Sequence, residues 1–434
     1  MALTYLEAVG VLDSLITGVP SSSQGGESRR AIMAALLAAT GNPQQGFHAI
    51  HVAGTSGKGS TCAYLDAILR AAGLRTGLHT TPYLQSPVEK IQVDGKHISP
   101  TDLAALAQEF LERIDETRRP TYVQAWTALT LSWFARQQVD IAVIEASLGG
   151  RFDATNHLCP IATIITNVHL DHTATLGSTV REIAWHKAGI AKPGVPMITG
   201  SQHPDAIEVI EGECHATGSP ILRLGRDFFC VLVGMDSDGA VFDYRSSRQE
   251  YQNLKIAMLG EHQVTNAALA VATASALNVP ETAIRDGLQT AILPGRMEMV
   301  QKSPLVLLDG AHNPAKAGAL RAALDRLFVE RRLVLLVALG ASKDAMGVMD
   351  ILVPRARAVV CTEAPVTGKP ACPAEHLAGR ARDHGVSVSV EGDPQRAIEL
   401  GLSLCDDQDL LCVTGSLYLV GALRGRWHPA PAAL

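Results

Sequence analysis

One short stretch limits the folds open to this chain more than any other. Phe47-His48-Ala49-Ile50-His51-Val52 reads as a strand, Gly54-Thr55-Ser56-Gly57-Lys58-Gly59-Ser60 as a glycine-rich turn, and the residues through Leu69 and Ala72 as a helix stopped by Gly73. Glycines let backbone N–H groups close around phosphate oxygens, the helix N-terminus adds positive partial charge, and a lysine there neutralises phosphate. The stretch is not the literal P-loop pattern, because position 52 is Val and the hydroxyl residue follows the lysine by two. A glycine- and serine-rich loop alone is ordinarily just a turn; strand, loop, lysine and helix together point to a phosphate site. Ser60, with Thr61 beside it, then offers a hydroxyl to Mg²⁺.

A magnesium–nucleotide site also needs a carboxylate, since Mg²⁺ takes hard oxygen ligands. Glu145 ends the apolar run Val139–Ile144 and precedes Ala146-Ser147-Leu148-Gly149-Gly150-Arg151-Phe152-Asp153. Standing alone it is a solvated acid at a strand end; beside a phosphate loop it is a metal ligand. A second buried-strand pattern, Pro160–Thr166, runs into Asn167-Val168-His169-Leu170-Asp171-His172, where two histidines flank an acid and His172 is the site candidate. In open α/β sheets, ligands sit at the carboxyl ends of strands.

Thr179-Val180-Arg181-Glu182 reads as a capping box, so a helix is expected from Val180 until Pro193-Gly194 ends it. Lys187 falls within its apolar stripe of Val180, Ile183, Ala184, Ala188 and Ala191. A lysine there must snorkel, find an acid or change chemically, because an unpaired buried ammonium is very costly; pattern alone favours snorkelling.

From Phe228 to Met258 the alternation around Asp236-Ser237-Asp238-Gly239 reads as a small antiparallel excursion. A helix over 264–277 follows, then a break at Leu293-Pro294-Gly295-Arg296. Strand and helix patterns alternate again from Leu305, with Asp309-Gly310-Ala311-His312-Asn313-Pro314 directly after a strand and Lys343-Asp344 after a later one. The expected class is α/β, with a P-loop domain over 1–294 built on a mainly parallel sheet and a smaller α/β domain over 295–434. Near the N-terminus, a helical stretch and a polar loop, Ser21-Ser22-Ser23-Gln24-Gly25-Gly26, precede the first strand.

Composition narrows the partners. With 37 Lys+Arg against 43 Asp+Glu the charge is −6, and aromatic residues are 4%, which argues against nucleic acid. The apolar run His262 to Pro280 carries too many polar residues for a membrane span, and the N-terminus lacks the features of a signal peptide. Eight scattered cysteines without a CxxC pair read as free thiols in a reducing, cytoplasmic setting.

Taken in order, HVAGTSGKGST (51–61), LGGRFDATN (148–156), TNVHLDHTATLG (166–177), HKAGI (186–190), GEHQVTNAALA (260–270), LPGRME (293–298), LDGAHNP (308–314) and VTGSLYLV (413–420) resemble the folylpolyglutamate synthase/dihydrofolate synthase family, within the Mur ligase group of ATP-dependent amide ligases. The resemblance covers most of the chain. It implies a Rossmann-like C-terminal domain and a role in folate biosynthesis and one-carbon metabolism. In the implied reaction ATP phosphorylates the carboxylate of dihydropteroate or a reduced folate, and the amino group of L-glutamate displaces phosphate.

By the same resemblance, Gly54 to Ser60 hold the phosphates with Lys58, while Asn266, Arg296 and Asp309 contact nucleotide. Ser60, Glu145 and His172 serve magnesium, two ions in all. Lys187 is carbamylated and serves the second ion, which displaces the snorkelling reading, and a monovalent cation is also compatible. Asp153 and Arg151 lie in the acceptor block, Asp153 at a pterin-contacting position, while His312 and Ser416 are placed for the glutamate side or the interdomain cleft. A monomer is expected.

Departures from the family pattern gather on the acceptor half. Thr81-Pro82-Tyr83-Leu84 stands where Ser-Pro-His-Leu is usual, Glu89-Lys90 where Glu-Arg is usual, and Ser147 in place of a glycine. Thr121-Tyr122-Val123-Gln124 stands where Thr-Phe-Phe-Glu is common. Tyr83 and Thr121 are therefore acceptor-side candidates. Val123 removes an aromatic surface, which leaves open an amide ligase with a non-pterin acceptor; a P-loop NTPase without ligase activity is the reading from another class.

Overall fold

The computed structural model describes residues 2–16, 25–114, 120–364 and 370–432. Ser21 to Gln24 of the expected polar loop lie outside the described residues, and Gly25 is the N-cap of the helix Gly26–Ala39.

Short β-branched and aliphatic runs, buried on both faces, build a parallel sheet. Its strands are β1 (His48–Ala53), β2 (Thr76–His79), β3 (Gln92–Val93), β4 (Lys96–His97), β5 (Ile141–Glu145), β6 (Pro160–Ile165), β7 (Met197–Thr199) and β8 (Ile221–Arg223). Their order is β4-β3-β2-β5-β1-β6-β7-β8, parallel except for the two short strands β3 and β4. The register pairs Val52 with Glu145 and Ala53 with Ile165. Three neighbouring strands, β5, β1 and β6, thus deliver Glu145, the glycine-rich loop and the 166–172 segment to one edge.

The antiparallel excursion is a three-stranded sheet of β9 (Phe228–Asp236), β10 (Gly239–Ser246) and β11 (Glu250–Ile256), in the order β11-β10-β9. Between it and the helix Lys58–Ala71 lies the helix Glu261–Ala276, buried along most of its length. That burial accounts for the apolar run that tempts a membrane reading; no helix among the described residues is long and apolar enough to cross a membrane.

A second large sheet begins after Arg296. It comprises β12 (Glu298–Lys302), β13 (Leu305–Leu308), β14 (Arg332–Val337), β15 (Ala356–Cys361), β16 (Ser387–Val390) and β17 (Asp409–Thr414), ordered β12-β13-β17-β14-β15-β16 and parallel except at β12. Apolar clusters cover both of its faces. Again three neighbours, β13, β17 and β14, present the 309–312, 415–416 and 338–344 segments together.

One expected boundary is wrong. The helix capped by Thr179 and Glu182 ends at Ala188, well before Pro193. Gly189 follows, and a Cβ there would lie 2.6 Å from the Arg151 backbone. The chain turns where only glycine fits against Arg151, and Ala191 is not part of the helix.

Candidate active site

Backbone conformations only glycine adopts readily shape the loop after β1. Gly54 has φ +148° and Gly57 φ +81°, and a Cβ at Gly54 would sit 1.8 Å from Thr166 Oγ1, one at Gly57 2.2 Å from Asn266 Oδ1. The loop is tied down from β6: Ser56 N–H donates to Asn167 Oδ1 at 2.9 Å, Thr55 N–H to Asn167 O at 3.0 Å, and Thr166 Oγ1 to Ser56 O at 2.6 Å. Thr166 and Asn167 are structural parts of the cradle that motif reading quoted without giving them a role.

Two lysines share one acceptor. Lys58 Nζ donates to Gly54 O at 3.1 Å and Lys187 Nζ to the same oxygen at 2.8 Å. Lys187 is buried and does not snorkel. Burial, with Lys58 nearby, pulls it down to about 7, against Asp171 and Asp153. Glu145 Oε2 accepts the Thr81 N–H at 2.9 Å, while Oε1 faces Lys58 Nζ at 3.7 Å. Burial pushes Glu145 up, opposed by Lys58, the Thr81 N–H, Arg296 and Lys316. Ser60 is buried in the first turn of the helix.

His172 adopts a left-handed backbone, φ 51°, at the N-cap of the short helix Thr173–Leu176. Its side chain is half exposed, with Nε2 4.0 Å from Asp171 Oδ1. Asp171 also faces Lys343 Nζ at 4.0 Å, a link between the two large sheets. Burial works to raise Asp171, but His172, Lys343 and Lys316 together hold it below its ordinary value.

From the second sheet, Asp309 takes the Met297 N–H at 3.0 Å and the Ala311 N–H at 2.8 Å. Burial raises it, opposed chiefly by Arg296, and burial in turn lowers Arg296 against Asp309 and Glu145. Asn266 faces Gly57 and donates to Gln263 Oε1. The three residues expected on nucleotide thus come from separate segments, Asn266 against the Gly57 turn and Asp309 on the Met297 N–H beside Arg296. His312 lies in the loop after β13, bonded to Gly310 O and to Lys316 Nζ. Ser416 caps the helix Leu417–Arg424, and Leu417 lies against Gly310. Lys316 was missed in the sequence although a signal existed: a lysine in the first turn of a helix opposes the macrodipole.

The acceptor-side candidates divide. Tyr83 joins Tyr122 and Trp126 around the buried Lys90, whose Nζ lies 5.5, 4.2 and 4.6 Å from the three ring centroids and donates to Tyr122 Oη at 2.9 Å. Thr121 caps the helix Tyr122–Arg136 through a capping box with Gln124. Asp153 spends its carboxylate locally, accepting from Leu148 N, Thr155 N and Thr155 Oγ1. Arg151 pairs with Glu213 and stacks on Trp185 at 4.1 Å, so it is held within its own unit.

Mur ligase middle domains match residues 52–274 of the chain, and the glutamate ligase domain of Mur ligases matches residues 295–417. Folylpolyglutamate synthase of Lacticaseibacillus casei is 34% identical over 438 residues, spanning 97% of this chain and 98% of that protein. Dihydrofolate synthase/folylpolyglutamate synthase of Bacillus subtilis is 34% identical over 91% of this chain and 94% of its own. Among solved structures, Mycobacterium tuberculosis folylpolyglutamate synthase complexed with ADP superimposes with TM-score 0.90 at 30% identity, covering 99% of each chain. Escherichia coli FolC in complex with DHPP and ADP does so with TM-score 0.87 at 27% identity, covering 98% of each.

Proposed function

The chain belongs to the folylpolyglutamate synthase/dihydrofolate synthase family of Mur ligases, and on that premise we propose how its residues join L-glutamate to a pterin-bearing carboxylate at the expense of ATP. The observation that carries the reading is the convergence of Lys58, Lys187 and Glu145 on the Gly54 loop, with Arg296 and Lys316 felt by Glu145 from across the cleft. A regulatory NTPase has no need of that second cationic wall.

The amides of the 54–60 loop other than those of Thr55 and Ser56, which go to Asn167, hold the phosphates with the N-terminus of the helix Lys58–Ala71, and Asn266, Arg296 and Asp309 line the nucleotide. A carboxylate oxygen of the acceptor attacks the γ-phosphorus and ADP leaves, giving an acyl phosphate. The glutamate nitrogen then attacks the acyl carbon, loses a proton, and phosphate departs as the amide forms. Lys58 and Arg296 offset the charge on the transferring group. No side chain is needed as a nucleophile.

Glu145 fits a magnesium ligand: it is buried, and among the described residues its Oε1 has no hydrogen-bond partner, the Lys58 ammonium lying 3.7 Å away. Among the described residues no cluster of three or more His, Cys, Asp or Glu is assembled, as suits an ion that keeps waters and phosphate oxygens and takes one or two protein ligands. Ser60 and His172 would complete the set, and Mg²⁺ held there would supply charge neutralisation to the phosphoryl group. Lys187, depressed as it is, holds neutral amine near neutral pH; its nitrogen adds to CO₂ and loses a proton to become an anionic carbamate for a second ion. With ¹³C-bicarbonate the wild type should give a carbamate carbon signal by NMR that Lys187→Ala lacks; a wild type without that signal sinks the modification.

We take residues 1–294 as the ATP-binding unit and 295–434 as the glutamate-side unit, since among the described residues no strand is shared between their sheets. Eight cysteines that form no disulfide support a reducing, cytoplasmic setting. The deciding experiment supplies ATP, Mg²⁺ and L-glutamate with dihydropteroate or tetrahydrofolate separately, and detects amide product by mass. Product is expected with at least one. Absence with both overturns the folate acceptor, and ADP release without acceptor or glutamate would favour an NTPase.

A further inference from the structure

His312 matches the glutamate side of the cleft, yet its hydrogen bonds leave it nothing to offer an anion. Its Nδ1 lies 2.8 Å from Gly310 O, which can only accept, so the ring proton sits on Nδ1. Burial, with Lys316 alongside, drives His312 down to about 3 and keeps the ring neutral. Nε2 is then a bare lone pair, and it accepts from Lys316 Nζ at 3.1 Å. Both ring nitrogens are spent.

Lys316 is in the opposite position. Its ammonium has three N–H bonds, one goes to His312, and among the described residues it forms no ion pair. The helix Pro314–Leu327 begins two residues earlier, so the charge also sits at the positive end of a macrodipole, where an anion is welcome. The charged groups that act on it are Arg296 from the segment before β12, Lys58 from the phosphate loop and Lys343 from the loop after β14, against the acids Asp171 from the loop after β6 and Glu145 at the end of β5. Asp171 already faces His172 and Lys343. The cleft wall around Lys316 thus carries more cation than anion.

We propose that Lys316, positioned by neutral His312, is the residue that receives a carboxylate of the incoming amino acid. The proposal rests on the glutamate-ligase reading and assigns its amino-acid subsite to a lysine that the family blocks did not single out. His312 is a positioning residue that acts through Lys316.

The test uses the full-length enzyme with Lys316→Met and Lys316→Arg, measuring kcat and the KM values for glutamate and ATP, with ADP binding by calorimetry as the check on folding. Lys316→Met should raise KM for glutamate about 10- to 100-fold, the scale of one hydrogen bond to a charged group, while KM for ATP and ADP affinity stay near wild type. Lys316→Arg should recover most of the loss. Burial, with Arg296 nearby, brings Lys316 down to about 8. Its charge is therefore present below that pH and lost above it, so KM for glutamate in the wild type should climb above pH 8 and the arginine variant should climb less. His312→Gln, which keeps an acceptor, should cost less in KM than His312→Leu.

Competitive inhibition by L-glutamine and by 4-aminobutyrate identifies the carboxylate. The analogue lacking the group that Lys316 binds should inhibit wild type and Lys316→Met equally. An unchanged KM for glutamate, or a loss confined to ATP or kcat, overturns the assignment while product formation leaves the ligase reading standing. Absence of amide product from the wild type with every acceptor overturns both.

Discussion

The glycine-rich loop after β1 and the side-chain cluster around Lys90, the proposed ATP and acceptor regions, are built from different materials. On the ATP edge, β1, its loop and the following helix are contiguous in sequence, and the cradle is backbone: Gly54 and Gly57 press against Thr166 and Asn266 with no room for a Cβ. In the region proposed for the acceptor, side chains from separate segments meet. Lys90 sits among Tyr83, Tyr122 and Trp126, and the loop that carries Tyr83 is held by three backbone N–H groups, those of Leu84, Gln85 and Ser86, on the Glu89 carboxylate. That loop also leans on the second unit, where Arg424 bonds Gln85 Oε1 at 2.6 Å and clamps Glu298. A backbone site should fail when an atom is added, and a side-chain site when a charge, a ring or a neighbour changes.

The largest expected effect separates the chemistry from the scaffold. Lys58→Ala should lower kcat about 10²- to 10³-fold, the usual scale for removing one preorganised donor to developing charge, with the far-UV spectrum unchanged. If acceptor binding fell in parallel, the two halves would not be independent.

Next comes the backbone itself. Gly57→Ala forces a side chain into the left-handed region, at about 1–2 kcal/mol, and onto Asn266 Oδ1. ADP affinity should drop about tenfold or more, since each 1.4 kcal/mol is a factor of ten in binding. Adding Asn266→Ala relieves the clash but also removes a proposed nucleotide contact, so the double variant should regain thermal stability, except for the part due to φ, without regaining ADP affinity. Equal ADP affinity for Gly57→Ala and wild type would mean the glycine is dispensable.

This contrast also explains what could be read in advance. The order strand, loop, lysine, helix is local, so its form is legible from a dozen consecutive residues, as is the placement of Glu145 and of the segment that carries His172 at neighbouring strand ends. Lys90 stood out only as a lysine where arginine is usual, because the rings around it come from positions 83, 122 and 126 and nothing local announces their meeting. The same holds for Asp153: the family resemblance suggests a pterin contact, while only the packing reveals that Leu148 and Thr155 occupy its oxygens. The early end of the helix after Thr179 was hidden for a similar reason, since it depends on the distant Arg151 backbone meeting Gly189. Tertiary packing decides what local propensity leaves open.

A smaller effect is expected at the joint between the units. A Cβ at Gly421 would stand 1.9 Å from Leu84 O, so Gly421→Val should push the helix Leu417–Arg424 off the Tyr83 loop. ADP binding, which draws on the Gly54 loop, should persist within a factor of about two, while acceptor-dependent turnover falls roughly tenfold, about 1.4 kcal/mol. Loss of ADP binding instead would tie the nucleotide site to this joint and weaken the comparison.

The smallest change falls at Val123, which is 39% exposed in the first turn of the helix capped by Thr121. An aromatic ring there adds a flat surface one residue from Tyr122, and aromatic pairs contribute about 0.5–1.5 kcal/mol beyond the area they bury. Val123→Phe should therefore lower KM for dihydropteroate by about two- to tenfold, the factor that such an energy sets, and leave KM for ATP alone. The size is modest, but the direction discriminates. A gain for the pterin acceptor means that the pocket beside Val123 receives the ring and lacks only a stacking face. A loss, with turnover of a smaller carboxylate preserved, means that valine shapes the pocket for an acceptor without a pterin, and that the side-chain half of this cleft has a different substrate from the one its backbone half suggests.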